Sequence, residues 1–327
     1  MKQRVILALT LALLFLTACS SDKNEEQTAP TEKEDTKVTI EGVNGEVTLD
    51  APAKKIVALE WTYAENLLAV GVQPVGVADI EMYESYVNIE PQLDESVTDV
   101  GLRQEPSLEV IASLEPDLII GVSFRHEGLL EELNSIAPTV VFNPYPDDES
   151  IDVYGEMETT FKEVAKAVGK ESEAEVVLAD LEQKYEEAKG EIDAADLESK
   201  DVLLTLAYSG AQAPEIRVFT PNSLASKILE RIGLNNVHES EQFEIYGYST
   251  YNVEGLVKYE EANYLYSVQD DDNIYENQLK DNQVWKNLDF VQENRLYDLG
   301  EDTWLYGGPL SAATLLDQIV EAMVHNE

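Results

Sequence analysis

Basic residues are few beside the acids in this chain, and cysteine is almost absent. Its 327 residues include 22 Lys and Arg against 65 Asp and Glu, three His and one Cys. A net charge of −43 argues against nucleic acid as a partner, because phosphate backbones repel such a field. A single Cys excludes an intramolecular disulfide. His126, His238 and His325, with no second Cys, argue against a dedicated zinc or copper cage, so no metal site of the protein's own is expected. No G-x-S-x-G elbow, P-loop or G-x-G-x-x-G occurs, and carboxylate pairs are too frequent for any one to mark a hydrolase. The expectation is a protein that is not an enzyme. No period of about 20 to 50 residues recurs, which sets repeat arrays aside.

Long apolar runs are also missing, except at the start, "MKQRVILALTLALLFLTACSSDKNEE". Lys2 and Arg4 precede an apolar run that ends before Cys19. That is a secretory signal, residues 1–18, too short and too closely followed by polar sequence to span a bilayer. Leu16-Thr17-Ala18-Cys19 resembles the bacterial lipobox, which implies that Cys19 is lipidated. Each buried methylene of an acyl chain such as palmitate adds about 0.8 kcal/mol, so several chains hold firmly. Residues 19–36 are polar and acidic, a composition that cannot repay ordering, and read as a flexible stalk. The expectation is an exported, extracytoplasmic protein touching the cell membrane only through its anchor.

What remains is too long for one small core and suits two lobes. "KKIVALE", "PVGVAD", "DLIIGV" and "TVVFNP" are short apolar runs bounded by Gly, Pro or Asp, with helical stretches such as Ser107 to Leu114 and Glu127 to Ile136 between some of them. Continuous β-branched runs alternating with helices predict a parallel sheet covered on both faces. Thr62-Tyr63-Ala64-Glu65 has the form of a capping box opening a helix through Val70. Asp152 to Val168 and Glu171 to about Glu191 carry apolar residues at helical spacing among many charges. A second block follows, with "DVLLTLAY", "IRVFT", a helix over Asn222 to Ile232, "NYLYSV", "RLYDLG" and a last helix from about Leu310 to Val324. The order predicts an α/β protein with an N-terminal lobe at 37–168, a bridging helix at 169–194 and a C-terminal lobe at 195–327.

In so acidic a chain, arginines beside turn residues stand out: Arg103 in "VGLRQEPSLEV", Arg125 in "GVSFRHEG" and Arg217 in "EIRVFTPNS". At strand ends they would gather positive charge where α/β sheets bind ligands, and the guanidinium fork suits carboxylate oxygens. Each could instead pair with one of the many acids. Arg231, within a helix, is read as such a pair. The second group is aromatic: Tyr246, Tyr248 and Tyr251 in "EIYGYSTYN", Trp304 and Tyr306 in "TWLYGG". In an extended segment Trp304 and Tyr306 would share one face, as core or as a ligand platform. Phenolate ligation of ferric iron is a further possibility, with no coordination sphere defined.

The segments "VGLRQEPSLEVIASLEPDLIIG", "VFTPNSLASKILERIG", "VWKNLDFVQENRLYDLG" and "WLYGGPLSA" together resemble the iron-siderophore substrate-binding lipoproteins of ABC importers, especially the ferric hydroxamate and ferric citrate branch. The resemblance runs from about residue 37 to the end. It implies two Rossmann-like lobes bridged by a long α-helix, the class III periplasmic-binding-protein fold, with a shallow cleft for the iron complex. Arg103 matches the arginine of the family's G-L-R-x-E-P segment, and Trp304 and Tyr306 match the pair in W-x-[FY]-G-x-x-L-S-A. Tyr246 stands where hydroxamate binders place a Trp before Gly, while Arg125, Arg217 and Tyr248 complete the expected ligand set. The extra arginines point to an anionic complex such as a citrate-based siderophore.

Glu109 and Glu254 occupy matching helix-start positions in the two halves, where the family docks arginines of the permease. The function implied is capture of a ferric siderophore, with no cofactor, by a monomer that delivers it to an ABC permease. Haem or vitamin B12 is the alternative ligand. A surface hydrolase or adhesin is the alternative of another class.

Overall fold

The computed structural model describes residues 37–325. It opens on an antiparallel hairpin of β1 (Val38–Gly42) and β2 (Gly45–Leu49). Five strands then form a sheet in which every pair is parallel: β3 (Ile56–Ala58), β4 (Gly76–Val77), β5 (Thr98–Asp99), β6 (Leu118–Val122) and β7 (Thr139–Phe142), in the order β5-β4-β3-β6-β7. Alternate residues feed opposite faces. Ile56, Ala58, Leu118 and Ile120 join a core with Trp61 and Phe161, whereas Val57 and Ile119 join another with Ile111 and Leu133. Burial on both faces is why these strands read as unbroken apolar runs.

Helices fill the crossovers: α1 (Trp61–Ala69), α2 (Ile80–Tyr86), α3 (Leu108–Leu114), the single turn α4 (Ser123–His126) and α5 (Leu130–Ile136). The stretch from Glu127 to Ile136 is helical throughout, a 3-10 turn at Glu127–Leu129 leading into α5. One expectation needs correction. Helix α1 does not begin with a Thr62–Glu65 capping box: Glu60 is its N-cap and accepts from the Trp61 N–H, while Glu65 is wholly buried and bonds elsewhere.

Helix α6 (Val153–Ala167) starts on an Asp152 cap, and α7 (Glu171–Ala194) runs for 24 residues, about 36 Å at 1.5 Å per residue. Ala174 near its start belongs to the core of the first sheet, and Leu181, Tyr185, Ala188 and Ile192 belong to that of the second. One rigid rod therefore serves both lobes.

The second sheet contains β8 (Asp201–Ser209), β9 (Pro214–Phe219), β10 (Asn235–Asn236), β11 (Tyr248–Tyr251), β12 (Asn263–Val268) and β13 (Leu296–Asp298), ordered β11-β9-β8-β12-β13 with β10 beside β8. Strands β10 and β12 run parallel to β8, and β13 parallel to β12, but β9 is antiparallel to β8 and β11 to β9. Residues 210–213 between β8 and β9 are too few for a crossover, so that turn can only make a hairpin. Helices α8 (Leu224–Arg231), α9 (Gln283–Asn287), α10 (Asp289–Gln292) and α11 (Pro309–Val320) complete the lobe.

The lobes meet through α1, α6, α8 and α11. Glu65 on α1 accepts from the backbone N–H groups of Gly308 and Ser311, both at 2.9 Å, and from the Ser311 hydroxyl at 2.6 Å. Those donors lie at the N-terminus of α11, where a carboxylate is favoured by both orphan amides and helix dipole. The "GGP" stretch permits this approach: a Cβ on Gly307 would stand 2.2 Å from the Ser311 hydroxyl, and one on Gly308 2.5 Å from Asn66 Oδ1.

Candidate functional site

The carboxyl ends of β3 and β6 lie side by side where the order of the first sheet reverses, the place at which open α/β sheets bind ligands. Glu60 follows β3 there and Arg125 follows β6, on α4. Arg103 comes from the loop after β5. Arg103 Nη1 donates to Glu60 Oε1 at 2.8 Å, and Arg125 Nη1 donates to Glu60 Oε2. Arg103 Nε lies 3.5 Å from Asp79 Oδ2, and its guanidinium carbon sits 3.4 Å from the centre of the Trp61 ring. The first lobe thus offers two arginines already fixed in direction.

The one-turn helix α4 serves both. Its Arg125 reaches Glu60, while the next residue, His126, takes the Val122 N–H on Nδ1 and donates from Nε2 to the Arg103 carbonyl at 2.8 Å. Burial lowers the pKa of His126, partly opposed by that bond to Arg103, and the two bonds match a neutral ring. A Cβ on Gly121 would come within 3.0 Å of the ring, so this glycine makes room for it.

The second lobe contributes Arg217, Tyr246, Tyr248, Trp304 and Tyr306. Arg217 lies within β9, paired in register with Thr250 of β11 and Leu206 of β8, and not beside a strand end as expected. It points sideways over Tyr248, 4.5 Å from the ring centre, and its Nη1 lies 3.5 Å from the Tyr306 hydroxyl. No carboxylate of the described residues stands within ion-pair distance of it, and its Nε lacks a hydrogen-bond partner. Tyr306 is held protonated by burial, although Arg217 pulls the other way.

Trp304 and Tyr306 are not in a strand, yet their rings touch, 5.1 Å between centres, while the intervening Leu305 is buried. Trp304 packs on the first lobe's core and against Trp61 at 5.0 Å; Tyr306 packs on the second's. Their inner edges are core and their outer edges line the cleft. Gly308 caps α11 and Pro309 begins it, one residue before the expected start. Across the cleft mouth Tyr246 meets Tyr145 at 5.4 Å and Phe124 at 5.9 Å, closing an aromatic clasp between the lobes.

Together these residues enclose a cleft of about 380 Å³ whose lining includes Arg103, Arg125, Arg217, Tyr246, Tyr248, Trp304 and Tyr306. Glu60, Thr62, Gln104, Phe124, Pro144 and Tyr145 also line it and were not foreseen. Glu60 had one readable signal, its place just past the first strand of a parallel sheet. Tyr145 had none, since only folding carries it across to Tyr246.

Tyr251 stands apart, packed against His238 and Tyr259. Arg231 pairs with Glu182 and lies over Tyr154 and Tyr185. Glu109 is exposed in the first turn of α3, and Glu254 is exposed at the start of the 3-10 segment Val253–Tyr259. Among the described residues no cluster of His, Cys, Asp and Glu could hold a metal ion, and no helix is long and apolar enough to cross a membrane. Cys19, the signal segment and the stalk lie outside the described residues.

Behind the clasp is a second, smaller cavity of about 50 Å³ between the lobes, touching Tyr63, Asn66, Glu156 and Phe243. Burial raises the Glu156 carboxyl to about 7, partly offset by a 2.6 Å bond from Thr160.

The Fe(3+)-citrate-binding protein YfmC of Bacillus subtilis (strain 168) is 30% identical over 304 residues, 92% of this chain and 90% of that protein. The iron(3+)-hydroxamate-binding protein FhuD of Escherichia coli (strain K12) is 32% identical over 259 residues, 79% of this chain and 83% of its own length. Among solved structures, the Fe3+-Desferal bound siderophore-binding protein FhuD from Vibrio cholerae matches with a TM-score of 0.73 at 27% identity, covering 83% of this chain and 98% of that one. The family model described as periplasmic binding protein matches residues 56–303. With two α/β lobes on a helical bridge and a cleft at their seam, this chain belongs to the periplasmic binding protein family.

Proposed function

We propose that this protein captures a ferric siderophore outside the cytoplasm and delivers it to an ABC importer, making and breaking no covalent bond. The observation that carries this reading is the joint lining of one cleft by three arginines and a set of aromatic rings from both lobes. The siderophore completes the iron coordination, so the protein handles only its organic shell. Arg103, Arg125 and Arg217 meet the ligand's oxygens; Tyr246, Tyr248, Trp304 and Tyr306 meet its flat faces. The three arginines then favour an anionic ferric complex, citrate-based or citrate-centred with hydroxamate arms, over cobalamin or haem held in an apolar pocket. Binding biases the lobes toward the state in which both halves of this set engage, by the ligand's difference in affinity for the two states.

Exposed Glu109 and Glu254, one on each lobe, dock arginines of the permease. Lipidated Cys19 tethers a monomer through the 19–36 stalk, and lobes at 37–168 and 195–327 move about the helix at 169–194. Relatives named as lipoproteins support the anchor, among them a probable siderophore-binding lipoprotein 28% identical over 320 residues. Labelling with palmitate should mark the intact chain and not Cys19→Ser. Charge reversal at both docking acids should abolish transport with binding intact.

The central test is fluorescence quenching of the tryptophans by ferric schizokinen, ferric citrate, ferrioxamine and cobalamin. Saturable quenching by an iron complex is expected. Quenching by cobalamin alone, or by none, overturns the reading.

A further inference from the structure

Glu60 is an acid in a cleft assembled from cations, and it occupies both oxygens on two of them. Resting on the siderophore reading above, we infer that Glu60 sets the net charge of the complex this cleft accepts, favouring a singly anionic ferric complex over a multiply anionic one.

Glu60 cannot step aside for a ligand's carboxylate. It is 7% exposed, begins α1 as its N-cap, and its Oε1 also accepts from the Trp61 N–H at 3.2 Å. Nor can Arg103 readily follow a ligand away from it, because Trp61 lies under the guanidinium and Asp79 lies beside Nε. A ligand therefore meets these arginines with their counter-ion in place. It finds the donors that Glu60 leaves unused, and it also finds a fixed negative charge between them. Only Arg217, in the opposite lobe, is met with no carboxylate in ion-pair distance among the described residues. Of the charged side chains lining the cleft, Glu60 offsets one of Arg103, Arg125 and Arg217 and leaves two positive charges; counting Asp79, 3.5 Å from Arg103 Nε just outside the lining, leaves one.

That remainder matches a ferric complex with one surplus negative charge. A citrate-centred dihydroxamate is of this kind: two hydroxamates and a doubly deprotonated α-hydroxycarboxylate place four negative charges on iron(III). Ferric citrate, with further unesterified carboxylates, brings charge that Glu60 repels.

The experiment measures dissociation constants of ferric schizokinen, ferric citrate and the neutral trihydroxamate ferrichrome, for the unaltered chain, Glu60→Gln and Asp79→Asn. Gln keeps the shape and, with its carbonyl oxygen at the Oε1 position, the acceptor for Trp61 and Arg103, while it removes the charge together with the acceptor for Arg125. Expected for Glu60→Gln is a ferric citrate affinity that rises about tenfold relative to that of ferrichrome, and a steeper loss of ferric citrate affinity with salt. Asp79, at a left-handed backbone position that Asn also tolerates, should act in the same direction with a smaller gain, and it keeps the inference testable if Glu60→Gln does not fold. Equal losses for all three complexes, or an unchanged ratio between them, would reduce Glu60 to a prop for the arginines and overturn the inference alone. Absence of binding of any complex to the unaltered chain overturns the capture reading and this inference together.

Discussion

Helix α1 carries two buried glutamates, Glu60 at its start and Glu65 five residues on, and they face opposite sides of the seam between the lobes. Glu60 looks into the cleft and is held by two arginine side chains. Glu65 looks away from it and is held by backbone amides of α11 and the Ser311 hydroxyl. Side-chain donors have unused hydrogens to share with an incoming ligand, whereas each helix amide has one hydrogen and a fixed direction. One side of the seam is thereby built for exchange and the other for permanence. Under the proposed capture function, rocking of the lobes would have a fixed edge, at Glu65 and the glycines beside it, and a working edge at the arginines.

The largest effect should come from breaking the permanent side. Glu65→Ala leaves the amides of Gly308 and Ser311 unpaired in a buried seam, at a cost of about 3 to 5 kcal/mol. Urea unfolding would read this as a lower midpoint, and a midpoint shifted by less than a tenth of the total would contradict it. Burial raises the pKa of Glu65 itself, against the bonds from Gly308 and Ser311, so the seam also loses stability as pH rises.

Next is Glu156, behind the clasp. Its folded value, about 7, lies above its ordinary 4.5, so between those values the folded chain binds more protons than the unfolded one. Unfolding free energy therefore falls as pH rises through that window and levels off above it. The difference is about 3 kcal/mol at 1.36 kcal/mol per unit. Glu156→Gln should remove this slope, so that its stability advantage over the unaltered chain is larger at pH 8 than at pH 5. Equal advantages at both pH values would show that Glu156 ionises without cost.

On the exchangeable side, Arg217→Met should weaken an anionic ferric complex by about 2 kcal/mol, roughly 30-fold, because this cation has no competing carboxylate. A titration in which a neutral complex loses as much would remove the charge argument. The smallest effect is expected at the clasp. Tyr246→Ala, which removes the ring touching Tyr145 and Phe124, should cost about 1 kcal/mol in affinity and nothing in stability. A drop in unfolding midpoint would move Tyr246 from the working edge to the permanent one.

Much of the first lobe could be read before folding. "LIIGV" lies in the sheet interior with both faces covered, and such a strand is apolar at every position. Ser107 and Asp152 cap their helices as polar residues before apolar runs do. The second lobe was less legible, since "IRVFT" looks like one more parallel strand and becomes antiparallel only because the preceding turn is short. That hairpin also places Arg217 inside β9, between β8 and β11, and not at a strand end. Glu65 was misread for a related reason: its spacing from Thr62 satisfies a local rule, but the amides it bonds lie more than two hundred positions away.

Sequence by itself determined which residue types would be scarce and therefore conspicuous. Arginines in an acidic chain, rings beside glycines and apolar runs bounded by turns are local properties, set by composition and spacing. Tertiary structure decided their partners. Glu60 lies between Arg103 and Arg125 because β3 and β6 are neighbours in the sheet although sixty residues separate them in the chain. Trp304 and Tyr306 became both core and cleft because the segment holding them runs along the seam of two lobes, each of which takes one ring. Charge and periodicity are written along the chain, whereas a counter-ion or a clasp exists only once distant segments share a surface.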